Sequence, residues 1–420
     1  MDTILFPARQ STAKESLAAY RGRGGYEALS AIVDAQAPAR VIEEVQAAGL
    51  RGRGGAAFPT GTKLELTAKA QAEQKFVVAN GGEDEPGSFK DRILMEHHPH
   101  LILEGVTLCA LAVGATKGYL YVNRTYAAAQ ASLAAAMQEA AGKAYLGRGI
   151  LGSAFSFELE LFRAPTPYVA GEDTAALEVL EGKDPVPREK PPYPVQAGLF
   201  GKPTLVSNIE TMANIPRIVL RGAAWFRGFG TAQSPGTMIF CLGEEVRRPG
   251  AYELPLGTPL RQLIDGCGGG LRDGKAIKAI LPGGPSTAFL PATCLDTPLD
   301  HQAMRDAGSI LGCGVMELIP VGRCMLEEAL KHAGFFAAES CGACPACRME
   351  TSTFQTLLRQ IKEGKGTPML LDQFDKVAAF NRGKGRCSLI AMAAAPVLSA
   401  VRHFRGDFEH HLAHGTCPPG

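Results

Sequence analysis

Three cysteines at C-x2-C-x2-C spacing, Cys341, Cys344 and Cys347, stand in ESCGACPACR (339–348), and a fourth candidate, Cys387, follows in GRCSL (385–389). Two intervening residues let a chain turn tightly around a metal–sulfide core, so the triplet suits one corner of a cubane [4Fe-4S] cluster. The remote thiolate of Cys387 then closes the cage. A structural zinc site also takes four thiolates, usually as two C-x2-C pairs. Inert or redox-labile thiols are the third reading, and disulfides need an oxidising compartment to which nothing here points. On the cluster reading the protein moves single electrons, and the chain upstream must hold what supplies them.

At 420 residues, with 46% hydrophobic and 20% charged, the chain has room for two or three domains with real cores. A net charge of +1 offers no field to draw nucleic acid or an anionic membrane. No uninterrupted apolar run reaches the ~18 residues of a span; the best stretch, Leu101 to Val122, is broken by Glu104 and Lys117. The opening MDTILFPARQSTAKE lacks the basic start and apolar run of an export signal. Of the 11 cysteines, Cys109, Cys241, Cys267, Cys294, Cys313 and Cys324 lie in apolar or Gly-rich surroundings that suit buried small hydrophobes, while Cys417 reads as a surface thiol. The expected compartment is reducing and cytoplasmic.

Short β-rich runs alternate with helical stretches up to about residue 220. Phe76–Ala79 and Gly118–Val122 read as buried strands; Tyr26–Ala35, Leu101–Val113, Tyr126–Gly142 and Thr174–Leu180 read as helices. That alternation predicts a parallel α/β sheet. Asp184 to Pro203 carries too many prolines for regular structure and is expected to be a loop over a site. From Gly236 a small β-grasp-like module is expected, with strands at 237–242, 250–254 and 276–281 and a helix at 259–265. Beyond Val321 the period is near 3.6, predicting bundle helices over Met325–Ala333, Cys347–Glu363, Met369–Phe380 and Leu389–Phe404. The cluster cysteines then sit at helix ends.

Four upstream segments carry candidate chemistry. Gly52-Arg53-Gly54-Gly55 is a glycine-rich loop whose amides can approach phosphate oxygens, with Arg53 adding charge; it is not a G-x-G-x-x-G fingerprint, and a plain turn is the alternative. Asn80 to Gly87, NGGEDEPG, follows a predicted strand and offers an Asn and three carboxylates for a metal or a polyol, unless it is merely solvated. His97, His98 and His100 have a metal-like look, but Pro99 argues for a helix-ending turn. Tyr168-Val169-Ala170-Gly171-Glu172-Asp173 opens a helix with two acids, which either compensate the helix dipole or recognise a ligand.

In this order the motifs resemble those of one family, the NADH- and flavin-binding (51-kDa, or F) subunits of respiratory complex I. They are similarly close to the diaphorase subunits of NAD-linked hydrogenases, formate dehydrogenases and aldehyde oxidoreductases. The strings that carry the resemblance are GLRGRGGAAFPTGTK (49–63), NGGEDEPGSFKDR (80–92), YVAGEDTAALEVLEGK (168–183), KPPYP (190–194), GLFGKPTLVSNIET (198–211) and ESCGACPACR (339–348). The resemblance implies a Rossmann-like flavin and NADH domain (1–234), a ubiquitin-like SLBB domain (235–320) and a helical bundle holding [4Fe-4S] (321–420). It implies that Gly52, Arg53, Gly54 and Lys63 surround the flavin phosphate and ring edge. Asn80, Glu83, Tyr168, Gly171, Glu172, Asn208 and Thr211 line the flavin, and Asp173 lies near the nicotinamide nucleotide. Glu85, Lys190, Phe58 and Tyr193 contact NADH, the aromatics stacking on adenine. Glu85 and Glu172 are the candidate catalytic residues, for orientation and potential tuning. Cys341, Cys344, Cys347 and Cys387 are the metal ligands.

The chain departs from the family pattern at Gly82, where a carboxylate is usual, at Asp173 for Glu, at Leu66 for an aromatic and at Ser207 for Asn. These leave FMN against FAD and NAD against NADP open. The resulting expectation is an NAD(H)–flavin oxidoreductase subunit that exchanges hydride with nicotinamide and single electrons with its cluster, then with an iron–sulfur partner subunit of a hetero-oligomeric complex. That complex is either an NADH:quinone oxidoreductase, with the chain peripheral on a membrane's cytoplasmic face, or a cytoplasmic NAD-linked dehydrogenase. The rival reading is a flavin-free, cluster-bearing docking subunit.

Overall fold

The computed structural model describes residues 3–7 and 14–418. The reading of the N-terminus as lacking an export signal falls partly outside them. Four parallel strands, β1 (Phe76–Gly81), β2 (Lys117–Asn123), β3 (Glu158–Ala164) and β4 (Thr204–Asn208), form a sheet in the order β3-β2-β1-β4. Alternation along β1 and β2 sends Val77, Ala79, Leu120 and Val122 into the main helix-packed core. Phe76, Val78, Tyr119 and Tyr121 go to a smaller core on the opposite face. Burial on both faces is why these strands read as continuous apolar runs. The β3 and β4 strands lie at the edges with mixed burial, and sequence patterning had not marked them.

Helix Pro99–Val113 is buried along nearly its whole length. It crosses helix Ile209–Arg221 so closely that a Cβ on Gly105 would lie 2.1 Å from the Met212 carbonyl oxygen. Between Asp184 and Pro203 the chain is irregular apart from the short helix Pro194–Ala197 and the turn Leu199–Gly201. It is pinned to helix Asp173–Leu180 by Arg188, which pairs with Glu178 and Glu181, and by Lys190.

The second sheet contains β5 (Thr237–Leu242), β6 (Gly250–Pro255), β7 (Ile277–Leu281), β8 (Leu290–Pro291) and β9 (Val315–Pro320), in the order β6-β5-β9-β7-β8. Its parallel β5–β9 pair lies inside antiparallel neighbours. Helices Met325–Glu339, Pro345–Lys362, Asp372–Asn381 and Leu389–His403 follow, with a fifth, Arg405–His414, that periodicity had not suggested. The bundle core continues into the second sheet through Ala279, Leu281, Phe289 and Ile319. The chain's start is tied in as well: the Glu253 carboxylate on β6 accepts the backbone N–H groups of Ile4 (2.8 Å), Leu5 (3.0 Å) and Phe6 (2.9 Å).

Candidate functional site

Strand β1 sends its chain to β2 on one side while β4 lies on the other, so the strand order reverses between β1 and β4. Ligands of open α/β sheets bind in the crevice outside the carboxyl ends at such a point. Asn80 and Asn208 face each other in register there. Asn208 caps helix Ile209–Arg221, accepting from Glu210 N–H at 3.0 Å, and its amide donates to Asp91 at 2.7 Å. The Gly52–Phe58 loop, closed by Gly52 N–H to the Phe58 carbonyl (2.9 Å), lies against this helix end. A Cβ on Gly54 would approach Asn208 Cβ to 3.0 Å, and Arg53 N–H donates to Thr211 Oγ1 at 2.8 Å. Lys63 brings an ammonium to the same rim, donating to the Val206 carbonyl at 3.0 Å; burial lowers its pKa, with Asp173 opposing. A glycine loop, a helix N-terminus and a partly desolvated lysine are a donor set that fits a phosphate-bearing flavin.

Two candidates sit differently from expectation. The Arg53 side chain does not add charge to the cradle. It is buried and donates to the carbonyls of Thr237 (2.9 Å) and Arg51 (3.1 Å), buckling the loop to the second sheet. The Glu83 carboxylate turns away to helix Lys90–His97, accepting from Asp91 N–H (3.0 Å), Arg92 N–H (2.9 Å) and the Ser88 hydroxyl (2.5 Å). Burial, then Asp91, pushes its pKa up to about 7.

The remaining candidates gather around the crevice. Asn80 donates to the Gly171 carbonyl at 2.9 Å. Glu85 accepts from the Tyr168 hydroxyl (2.6 Å) and from Ser286 N–H (2.9 Å) of the second unit, and burial raises its pKa. Glu172 caps helix Asp173–Leu180 through Thr174 N–H and Ala175 N–H, both at 2.9 Å. Lys190 bridges Glu172 (2.5 Å) and Asp173 (2.6 Å). Burial and the adjoining Asp173 raise the Glu172 pKa; that of Asp173 falls despite burial, because Glu172 and Lys190 hydrogen-bond it. Phe58 and Tyr193 are 47% and 53% exposed, with the Lys63 ammonium 5.9 Å from the centre of the Phe58 ring, and exposed aromatics of this kind can stack on a base. Leu66 is equally open at 47%. Gly82 is matched to Tyr121, since a Cβ there would sit 3.0 Å from that ring.

Sequence reasoning missed the groups beneath the crevice. Lys90 is buried and pairs at 2.9 Å with both Asp91 and Glu210. Asp91 in turn holds Asn208. Asp84, one of the three carboxylates that the sequence offered in the Asn80–Gly87 loop, accepts from Asn123 at 2.7 Å, while its other oxygen is buried without a partner. Burial raises its pKa to about 7. The histidines separate rather than gather: His98 pairs with Glu15 at 3.2 Å and His100 with Glu139 at 3.0 Å.

The four cysteines converge. Cys341 and Cys344 lie in the loop before helix Pro345–Lys362, Cys347 in its first turn, and Cys387 just before helix Leu389–His403. They line one pocket, walled by Val169, Leu389 and Ile390. Arg386 N–H lies 3.4 Å from Cys344 Sγ and the Ser340 hydroxyl 3.4 Å from Cys347 Sγ, contacts of the kind that set cluster potential.

Crevice and pocket share a wall. In the turn Tyr168–Gly171, Val169 faces the cysteine pocket while the Gly171 carbonyl holds Asn80. The Tyr168 ring packs edge-on against Phe335 (5.3 Å) and Phe336 (6.0 Å), and its N–H donates to Glu339 at 2.8 Å, two residues before Cys341.

A phosphate-ready crevice backed directly onto a four-thiolate pocket suits an iron–sulfur flavoprotein that passes electrons between a bound nucleotide and a cluster. Comparison with known proteins is specific. Residues 45–217 match the Nuo51 FMN-binding domain, 238–290 the SLBB domain, and 327–411 the NADH-ubiquinone oxidoreductase-F iron-sulfur binding region. The chain is 42% identical over 402 residues to the second F-type subunit of the NADH-quinone oxidoreductase of Rhizobium meliloti (strain 1021), covering 96% of each. It is 38% identical to the HndC subunit of the NADP-reducing hydrogenase of Solidesulfovibrio fructosivorans, covering 96% of this chain and 82% of that one. A crystal structure of an NAD+-reducing [NiFe]-hydrogenase in the H2-reduced state superposes with a TM-score of 0.85 at 33% identity, over 96% of this chain and 67% of the other. The chain belongs to the 51-kDa (F-type) family of NADH-quinone oxidoreductase subunits, which embraces hydrogenase diaphorase subunits.

Proposed function

We propose that this chain is the NAD(H)-oxidising or -reducing flavin subunit of a multi-subunit redox complex, with FMN, a [4Fe-4S] cluster and NAD(H) as its cofactors. The observation that carries the reading is the shared wall at Tyr168–Gly171, which puts the flavin crevice and the cysteine pocket on two sides of one turn. Bound flavin supplies the exchange between two-electron nicotinamide chemistry and the one-electron chemistry of a cluster. The protein's part is to hold and to shield. Gly52, Gly54 and Lys63 take the phosphate, with Asn80, Asn208 and Thr211 fixing the crevice floor. Phe58 and Tyr193 stack on the adenine of NADH. Lys190, clamped by Glu172 and Asp173, meets the rest of the dinucleotide, and Glu85 with Tyr168 orients the inner end. Arg53 and Glu83 act beneath the site, as buckle and helix cap. Hydride transfer needs no side-chain acid, so Glu85 and Glu172 position rather than donate. Cys341, Cys344, Cys347 and Cys387 hold the cluster.

The functional units we assign are 1–234, 235–320 and 321–420. The partner is a cluster-bearing subunit of the same complex, and its place is cytoplasmic, peripheral where that complex is membrane-bound. Among the described residues no helix is long and apolar enough to cross a membrane. The test is spectroscopic: purified protein should show a flavin band near ~450 nm that NADH bleaches. Cys344→Ser should abolish electron delivery to the partner while leaving NADH-dependent bleaching within about twofold. A colourless or purely iron-brown preparation, or loss of bleaching in folded Cys344→Ser, overturns the reading.

A further inference from the structure

We propose that Cys324, His411 and Cys417 form a second metal site, for one thiophilic divalent ion such as Zn2+. Their ligand atoms, two sulfurs and one imidazole nitrogen, all lie within 4.8 Å of one another. They come from three separate places: the residue before helix Met325–Glu339, the last turn of helix Arg405–His414, and the tail beyond it. Cys324 Sγ and His411 Nε2 are 3.4 Å apart. A tetrahedral zinc with Zn–S of ~2.3 Å and Zn–N of ~2.0–2.1 Å separates such a pair by ~3.5 Å.

Burial sharpens the case. His411 is 2% exposed and its Nδ1 finds no partner, so the ring's polar contact is the one Nε2 makes toward the sulfurs. A buried cysteine hydrogen-bonded to a histidine would account for that pair alone. It does not account for Cys417. The tail is folded back by Gly415 N–H to the His411 carbonyl (2.8 Å), with Gly415 at φ 66°, and His410 Nδ1 lies 2.9 Å from the Thr416 carbonyl. This turn brings an otherwise exposed thiol onto the buried pair. Cys324 is also the N-cap residue of helix Met325–Glu339. Binding releases one proton from each thiol, and water completes the fourth position on the exposed Cys417 side. The ion would staple the tail to the start of the helix whose other end, Glu339, leads into the cluster loop.

The full-length holoprotein, expressed with zinc supplementation and desalted, tests this by metal analysis and zinc-edge X-ray absorption. The expected result is about one zinc per chain beside the cluster iron, in a two-sulfur, one-nitrogen shell. Cys417→Ser, at an exposed position where folding is not at stake, should cut retained zinc at least about tenfold under chelator challenge, with flavin and iron contents unchanged. His411→Gln should do the same. Less than about 0.1 zinc per chain in the supplemented wild type, retention unmoved by Cys417→Ser, or a Cys324–Cys417 disulfide in mapped peptides would each overturn the proposal. None of these readouts depends on flavin occupancy or NADH turnover.

Discussion

The β1–β4 crevice is assembled from residues far apart in the chain, whereas the cysteine pocket takes three of its four ligands from seven consecutive residues. In the crevice, Arg53 reaches Thr237, Glu85 reaches Ser286, and Lys90 meets Glu210 across the helix ends. Its floor is a buried charge network, in which each carboxylate and ammonium is tolerable only while its partners are present. The pocket is walled by aliphatic side chains and tuned by a few weak N–H and O–H contacts to sulfur. One site depends on distant electrostatic agreement. The other depends on local spacing and on the metal that will join its thiols.

That contrast can be broken most forcefully at Glu210. Its carboxylate is fully buried against Lys90, and removing one member of such a pair costs about 3–5 kcal/mol. Glu210→Ala should therefore lower the unfolding free energy by that order and shed flavin, while iron per folded chain stays near wild type. A loss under about 1 kcal/mol, the scale of a surface pair, would show that the network is not what holds the crevice.

A smaller effect is expected at Lys190, which is 23% exposed and bridges Glu172 and Asp173. Lys190→Ala should raise KM for NADH about tenfold with kcat little changed, the pattern of lost uniform binding. A fall in kcat at unchanged KM would instead place Lys190 in the chemical step.

The mildest expectation concerns pH. Burial raises the Asp84 pKa from its ordinary 3.8 to about 7, so between those values the folded protein holds a proton that the unfolded chain has lost. Its contribution to stability is full below pH ~4 and disappears as pH rises through about 7. Asp84→Asn should thus narrow the drop in denaturation midpoint between pH 5 and pH 8. Some drop will remain, because Glu83 and Glu350 are raised to about 7 as well. An unchanged pH profile would mean that Asp84 is ionised in the native state.

The same contrast explains what could be read in advance. Thiol spacing is a local property, so Cys341, Cys344 and Cys347 declared themselves, and Cys387 needed only a helix start to bring it in. Strands β1 and β2, apolar on both faces, were equally plain. Edge strands β3 and β4 were not, because half-buried patterns mix with loop composition. The buried roles of Lys90, Asp91 and Glu210 left no trace in composition: a Lys-Asp-Arg run opening a helix looks solvated until tertiary packing covers it. Arg53 misled for the same reason, its charge being visible in the sequence and its direction not. Cys417 was read as a bare surface thiol, since only the returning tail reveals its neighbours.

The seating of Ile4, Leu5 and Phe6 on Glu253 has a consequence for the order of events during synthesis. Phe6 and its acceptor are 247 residues apart, and a ribosome adding roughly 5–20 residues per second takes about 12–50 s to cover that distance. Until then the leading segment has no carboxylate to receive its amides. The nascent nucleotide-binding unit therefore waits, its first stretch of chain unmoored, for a residue of the following unit to emerge from the ribosome.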